Sequence, residues 1–241
     1  MYQNYIFDLY GTLVDIRTDE EKPYLWKKFA EIYASFGAFY SPKELKREFR
    51  RLEQKEKAAL GGKDAEPDLR RVFAKLYLQK DVCCDDSQAK WTAVFFRTLS
   101  REKLALYDGV EAFLKELKRR GKGVYLLSNA QADFTEPELC MLGLTPYFDG
   151  IFLSSKMGVK KPSPDFFNGL LQKYKLIKRE SIMIGNDEAS DIAGACAAGL
   201  DSLYIQTDIS PKDCGGHRAS YRIMDGDFRK IAPLILRQPS L

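Results

Sequence analysis

The chain has 241 residues, 45% of them hydrophobic and 30% charged, the balance of an ordinary globular protein. That length allows one large α/β domain or a core domain with an inserted module. A net charge of +4, with bases scattered among acids, argues against a nucleic-acid partner while still suiting an anionic substrate.

No apolar run reaches the length of a membrane span. The N-terminus enters a strand directly, with no basic, apolar and small-residue signal layout, so a cytoplasmic location away from membranes is expected. Five cysteines, Cys83, Cys84, Cys140, Cys196 and Cys214, have no metal-type spacing and read as free thiols in a reducing compartment. His217 is the only histidine, so acid–base chemistry has to come from carboxylates, Lys or Tyr.

In chain order, the run Tyr5-Ile6-Phe7 reads as a buried strand that delivers Asp8 and then turns at Gly11. Working groups in an open α/β sheet sit past the carboxyl ends of strands, which makes Asp8 the expected nucleophile. Gly11 lets the backbone approach a ligand closely, and Thr12 adds a small donor and acceptor. From about Glu20 to Arg101 the pattern is helical. Tyr24, Phe29, Ile32, Tyr33 and Phe36 recur at helical spacing, and Ser41-Pro42-Lys43-Glu44 has the form of a capping box. Further helices are expected over Leu45 to Leu60, Glu66 to Gln79 and Asp85 to Leu99. Such a module, placed straight after the nucleophile loop, is positioned to cover it.

Beyond Leu106, helices alternate with strands. Helices are expected over Val110 to Arg120, Ser163 to Tyr174 and Asp191 to Ala198. Strands are expected over Val124 to Leu127, Ile151 to Leu153, Ser181 to Ile184, Ser202 to Ile205 and Tyr221 to Met224. This alternation implies a doubly wound parallel sheet of the Rossmann-like α/β class. The last residues, from about Gln238, read as a loose tail.

Four strand ends carry polar groups that such a sheet brings to one edge: Asp8, Ser128-Asn129, Ser154-Ser155 leading to Lys160-Lys161, and Asp187 with Asp191. A carboxylate attacking a phosphate meets like-charge repulsion, which a divalent cation held by acids offsets. Magnesium needs few carboxylate oxygens and keeps several waters. Asp8, Asp187 and the backbone carbonyl of Tyr10 are the expected ligands. Lys161 would balance the acids and touch the transferring group, and Ser128 with nearby N–H groups would bind the other phosphate oxygens.

The same residues resemble the motifs of the haloacid dehalogenase-like (HAD) hydrolase superfamily over nearly the whole chain. Asp8-Leu9-Tyr10-Gly11-Thr12 is similar to its DxDGT motif, Ser128 ends the second motif, and Lys161-Pro162-Ser163-Pro164 opens the KPxPxxF third. Gly185-Asn186-Asp187 through Asp191 is similar to the fourth, which has a GDxxxD and a GDxxxxD form. The shorter form makes Asp187 the metal ligand, with Asp191 behind it; the longer one puts Asn186 there. The resemblance implies a HAD core over residues 1–16 and 104–241 and an all-helical C1-type cap over 17–103.

One motif position departs from the family's phosphatases. Their second Asp, which protonates the leaving group and then activates water, is Tyr10 here, a phenol whose ordinary pKa near 10 suits that double role poorly. The family's haloalkanoic acid dehalogenases resemble DxYGT at this place, expel a halide that needs no proton, and use no metal. The leading expectation is a Mg2+-dependent hydrolase of a small phosphate monoester acting through an aspartyl-phosphate. Catalysis would rest on Asp8, Tyr10 and Lys161, with Gly11, Thr12, Ser128, Asn129 and Lys161 binding substrate. The alternatives are a metal-independent 2-haloacid dehalogenase, in which Arg17 takes the halide, and a protein that binds a phosphorylated ligand or a partner without turnover. A monomer or homodimer is expected.

Overall fold

The computed structural model describes residues 2–212 and 219–236; Cys214, His217 and the tail expected from Gln238 lie outside the described residues. Strands β1 (Asn4–Phe7), β2 (Val14–Thr18), β3 (Arg101–Leu106), β4 (Gly123–Ser128), β5 (Gly150–Leu153), β6 (Ser181–Gly185), β7 (Asp201–Ile205) and β8 (Tyr221–Ile223) form two sheets. The larger has the order β5-β4-β1-β6-β7-β8, and each neighbouring pair is parallel. Strands buried on both faces read as continuous apolar runs, and Tyr5-Ile6-Phe7 and Ser181 through Gly185 are buried throughout.

The side-chain period of two splits those runs between two cores. Tyr5, Phe7, Val124, Leu126, Ile182 and Ile184 pack with helix α5 (residues 110–119) on one face. Ile6, Leu127 and Met183 pack on the other face with Phe152, Phe166, Phe167 and Leu170. The chain winds outward from β1 through β4 to β5, then returns to the other side of β1 for β6, β7 and β8. This reversal at β1 makes a crevice at its carboxyl end, where open α/β sheets bind ligands. Asp8 follows β1 directly.

Between β2 and β3 lie four helices: α1 (Pro23–Ser35), α2 (Pro42–Leu60), α3 (Leu69–Leu78) and α4 (Asp86–Ser100). They bury their own core of Trp26, Phe29, Tyr33, Phe49, Phe73, Tyr77 and Phe96. Trp91, by contrast, stands 60% exposed on α4. The expected capping box is present, with the Ser41 side chain on the Glu44 N–H and the Glu44 carboxylate on the Ser41 N–H. The stretch is not helical to its ends, however. Val14–Thr18 and Arg101–Leu106 pair antiparallel as a stem, which sequence reading missed because the pair is mostly solvent-facing and lacks an apolar run.

The remaining helices are α5 (Val110–Arg119), α6 (Ala132–Met141), α7 (Ser154–Met157), α8 (Pro164–Lys173), α9 (Ala193–Ala198) and α10 (Ile231–Ile235). Helix α6, also unexpected, seats the helical module. Among the described residues no helix is long and apolar enough to cross a membrane.

Two seams join the module to the core. In the first, Ala65 bridges Val159, with Lys160 N–H donating to Asp64 O at 3.0 Å and Glu66 N–H to Gly158 O at 3.1 Å. The Gln131 amide donates to Glu66 and to the Pro67 carbonyl and accepts from Leu69 N–H, while Arg70 makes a two-point ion pair with buried Asp133. In the second seam, Arg97 and Arg101 converge on Glu138 of α6.

Candidate active site

The crevice past β1 holds a cavity of about 200 Å³, lined by Asp8, Tyr10, Ser128, Asn129, Lys161, Asn186, Asp187, Ser190, Asp191, Ile209 and Pro211. Four strand ends supply most of these groups, as the motifs led one to expect.

Lys161 organises the floor. Only 2% exposed, it places its ammonium 2.5 Å from Asp8 Oδ1 and 2.7 Å from Asp191 Oδ1. Burial alone would lower its pKa, but the attraction of the two carboxylates outweighs that and holds it above the ordinary value. Asp191 is pushed up to about 7 by burial, with the Lys161 charge pulling the other way and Asp8 adding to the rise. Two carboxylates thus share one buried ammonium.

The Asn129 amide fixes the lysine's backbone. Its Oδ1 accepts the Lys161 N–H at 2.8 Å, and its Nδ2 donates to the Lys161 carbonyl at 3.0 Å. Asn129, expected to bind substrate, lines the cavity while its amide also positions the Lys161 backbone. Ser128 is buried at the end of β4 and faces the cavity.

The nucleophile loop turns back through Gly11, whose φ is +85°. A Cβ there would sit 2.3 Å from Asn186 Nδ2, so glycine is required both by the left-handed backbone and by the approach of Asn186. Thr12 Oγ1 lies 3.2 Å from Asp8 Oδ2 and 3.1 Å from Asn186 Oδ1. The loop after β7 completes this wall. Thr207 Oγ1 donates to the Gly11 carbonyl at 2.7 Å, and Ser210 Oγ accepts the Thr207 N–H at 2.9 Å and lies 3.4 Å from Asn186 Nδ2.

Of the two residues weighed for the fourth motif, Asn186 is the one pressed against the nucleophile loop. Asp187 lines the same cavity but caps the π-helical turn Glu188–Ile192. Its Oδ1 accepts Ala189 N–H at 2.8 Å and Ser190 N–H at 3.3 Å, and its Oδ2 accepts the Ser190 hydroxyl at 2.8 Å. The wide turn separates Asn186 from Asp191 by the spacing of the longer motif form.

Two of the named side chains are held in ways the sequence did not reveal. Tyr10 lines the cavity, but its phenol donates to Glu138 Oε2 at 2.5 Å and contacts Thr135 Oγ1 at 3.1 Å. Burial and the Glu138 charge push its pKa upward, and its proton is held by that carboxylate. Arg17 is exposed in β2 opposite Lys103 and is absent from the cavity lining, because its strand belongs to the stem. Sequence reading also missed Ile209 and Pro211, which carry no motif, Ser190, a variable position inside the fourth motif, and Glu138, which sits on a helix without amphipathic signal.

With this geometry in place, comparison with known proteins places the chain in a class. The family model of haloacid dehalogenase-like hydrolases matches residues 2–199, and the chain belongs to that family. It is 30% identical over 167 residues to a phosphoserine phosphatase of Thermus thermophilus, a match covering 69% of this chain and 65% of that enzyme. Among solved structures, a 2-haloacid dehalogenase of Pseudomonas syringae superposes with a TM-score of 0.66 at 22% identity, covering 92% of this chain and 94% of that one. The HAD-hydrolase YfnB of Bacillus subtilis, solved with magnesium, gives 0.58 at 19% identity, covering 98% and 99%. At these identities the two structures establish the shared fold.

Proposed function

We propose that the protein hydrolyses a small phosphate monoester by way of an aspartyl-phosphate on Asp8. The observation that carries this reading is the Asp8 carboxylate at the crevice floor, held on one oxygen by buried Lys161 at 2.5 Å and on the other, among the described residues, by the Thr12 hydroxyl alone. Asp8 Oδ2 keeps lone pairs for attack on phosphorus as the bond to the leaving oxygen breaks. Water then attacks the same phosphorus, releasing phosphate and restoring Asp8. Lys161 and Ser128 bind the phosphoryl oxygens in a pocket sized for a phosphoryl group and a small leaving group. The phosphatase relative supports a phosphate ester over other substrates.

The donor set suits magnesium, which takes one or two carboxylates and fills its shell with water and phosphate oxygens. Asp8 and Asp187 line one cavity, and Asp187 Oδ2, accepting a single hydroxyl, retains a lone pair. The Tyr10 carbonyl and Asn186 Oδ1 are neutral donors beside them. The ion would offset the repulsion between carboxylate and phosphate.

Because the Tyr10 phenol is committed to Glu138, residue 10 supplies no proton to the leaving group. Turnover is therefore expected to fall steeply as leaving-group basicity rises, so that aryl phosphates outpace alkyl ones. A second reading, metal-independent dehalogenation, is favoured by the same Tyr10 and by Asn186, which add neither a proton nor a charge beside Asp8.

One assay separates the two readings: phosphate release from a monoester panel and chloride release from 2-chloropropionate, each with Mg2+ and with chelator. Mg2+-dependent phosphate release that Asp8→Asn abolishes supports the proposal. Chloride release insensitive to chelator, with no phosphate released, overturns it.

A further inference from the structure

We propose that Glu138 is a positioning residue that ties the turn bearing the nucleophile to the exit of the helical module, through the Tyr10 phenol and the guanidinium groups of Arg97 and Arg101. The inference rests on the reading of Asp8 as nucleophile.

Glu138 is 1% exposed, on the core helix α6. Its carboxylate is saturated. Oε1 accepts Arg97 Nε at 2.8 Å and Arg101 Nη1 at 3.0 Å, while Oε2 accepts Arg97 Nη2 at 3.2 Å and the Tyr10 hydroxyl at 2.5 Å. Each oxygen has two lone pairs, so the four donors fill the group. With its one proton given to Glu138, the Tyr10 hydroxyl accepts from Thr135 at 3.1 Å.

The donors come from three places. Tyr10 stands two residues after Asp8. Arg97 is in the last turn of α4, the module's final helix, and Arg101 opens β3, the strand by which the chain re-enters the core. The Arg97 guanidinium also lies 5.2 Å from the Tyr10 ring centre and 5.5 Å from that of Phe134. A buried carboxylate with charged donors is costly to leave half-filled, so the four contacts hold or release as a group. Tyr10 is in turn fixed to the nucleophile loop by its bridge to Val14. Seating of the module and placement of the Asp8 turn are therefore one coupled arrangement, and the aromatic side chain in the motif's second acidic position makes the connection.

The test uses the full-length protein and four variants: Glu138→Gln, Tyr10→Phe, their combination, and Asp133→Asn. The last removes a comparably buried carboxylate from the other seam. Hydrogen–deuterium exchange is read by mass spectrometry on peptides covering 8–14, 66–72 and 95–101. Glu138→Gln is expected to raise exchange at both 8–14 and 95–101. Tyr10→Phe, which keeps the ring and removes only the hydroxyl, raises it at 8–14. Asp133→Asn raises it at 66–72 and leaves 8–14 as in the wild type. With a substrate in hand, Tyr10→Phe and Glu138→Gln each lower kcat about tenfold with KM within about twofold, and the double variant falls no further than Glu138→Gln alone.

Wild-type exchange at 8–14 in both Glu138→Gln and Tyr10→Phe overturns the proposal, as do additive losses in the double variant. A Tyr10→Phe variant whose activity loss far exceeds that of Glu138→Gln and removes a limb of the pH–rate profile also overturns it, by making the phenol itself catalytic. The exchange arm needs no turnover, so it decides the coupling even if the assignment of Asp8 fails.

Discussion

Replacing Lys161 by Met tests whether buried charge holds the site together. The ammonium serves Asp8 at 2.5 Å and Asp191 at 2.7 Å, and all three side chains are buried. Met keeps most of the volume and removes the charge, leaving two adjacent carboxylates without a counterion. Breaking a buried pair from one side costs about 3–5 kcal/mol. In a chain of this size each kcal/mol moves the melting temperature by about 2–4 °C, so the expected drop is roughly 6–20 °C. Asp191→Asn should behave differently. It leaves one ammonium facing one carboxylate, and an amide oxygen can still accept the Asp187 N–H that Asp191 Oδ2 takes at 3.0 Å, so a loss below about 2 kcal/mol is expected. Scanning calorimetry at neutral pH measures both variants. A Lys161→Met protein that melts within roughly 3 °C of the wild type, or one more stable than Asp191→Asn, would refute the argument that this lysine neutralises a shared buried charge.

Gly11→Ala forces a Cβ to within 2.3 Å of Asn186 Nδ2 at a φ of +85°; a loss of about 1–3 kcal/mol with at least tenfold lower turnover is expected, read by urea titration and initial rates. Asn129→Ala removes both hydrogen bonds to the Lys161 backbone and should cost about 1–3 kcal/mol, with kcat falling more than KM changes. Glu53 is held above the usual carboxylate range by burial first and by Glu66 second. An acid whose folded pKa is raised gives stability that is full below its unfolded pKa and lost as pH rises through the folded value. Glu53→Gln should therefore match the wild type near pH 4 and be the more stable of the two near pH 8, by thermal melts at each pH.

What the sequence made legible follows from where apolar periodicity and motif coincide. The sheet was readable because its strands are buried on both faces, and the polar residue ending each run marks the crevice. The stem strands were not, since Asp15, Arg17, Glu102 and Lys103 give them a surface composition. Helix α6 was hidden for a different reason. Its inward face carries Asp133, Thr135 and Glu138, and Pro137 lies inside it, so the buried side reads as polar until the arginines that meet it are known. The π-helical turn that Asp187 caps was also hidden, because its one-residue extension leaves no trace in composition. The commitment of Tyr10 was equally unreadable, because its partner is 128 residues away in sequence.

Both tryptophans of the chain, Trp26 and Trp91, belong to the helical module, one sealed in its aromatic core and the other in solvent. Indole emission is thus a private signal of that module. The blue-shifted component comes from Trp26, packed against Phe29, Phe49 and Phe96, while the α/β core reports only through its tyrosines. Denaturation followed at indole wavelengths therefore tracks the loss of the four-helix unit. Superposing that curve on far-ultraviolet dichroism of the whole chain shows directly whether the two layers come apart together or in sequence.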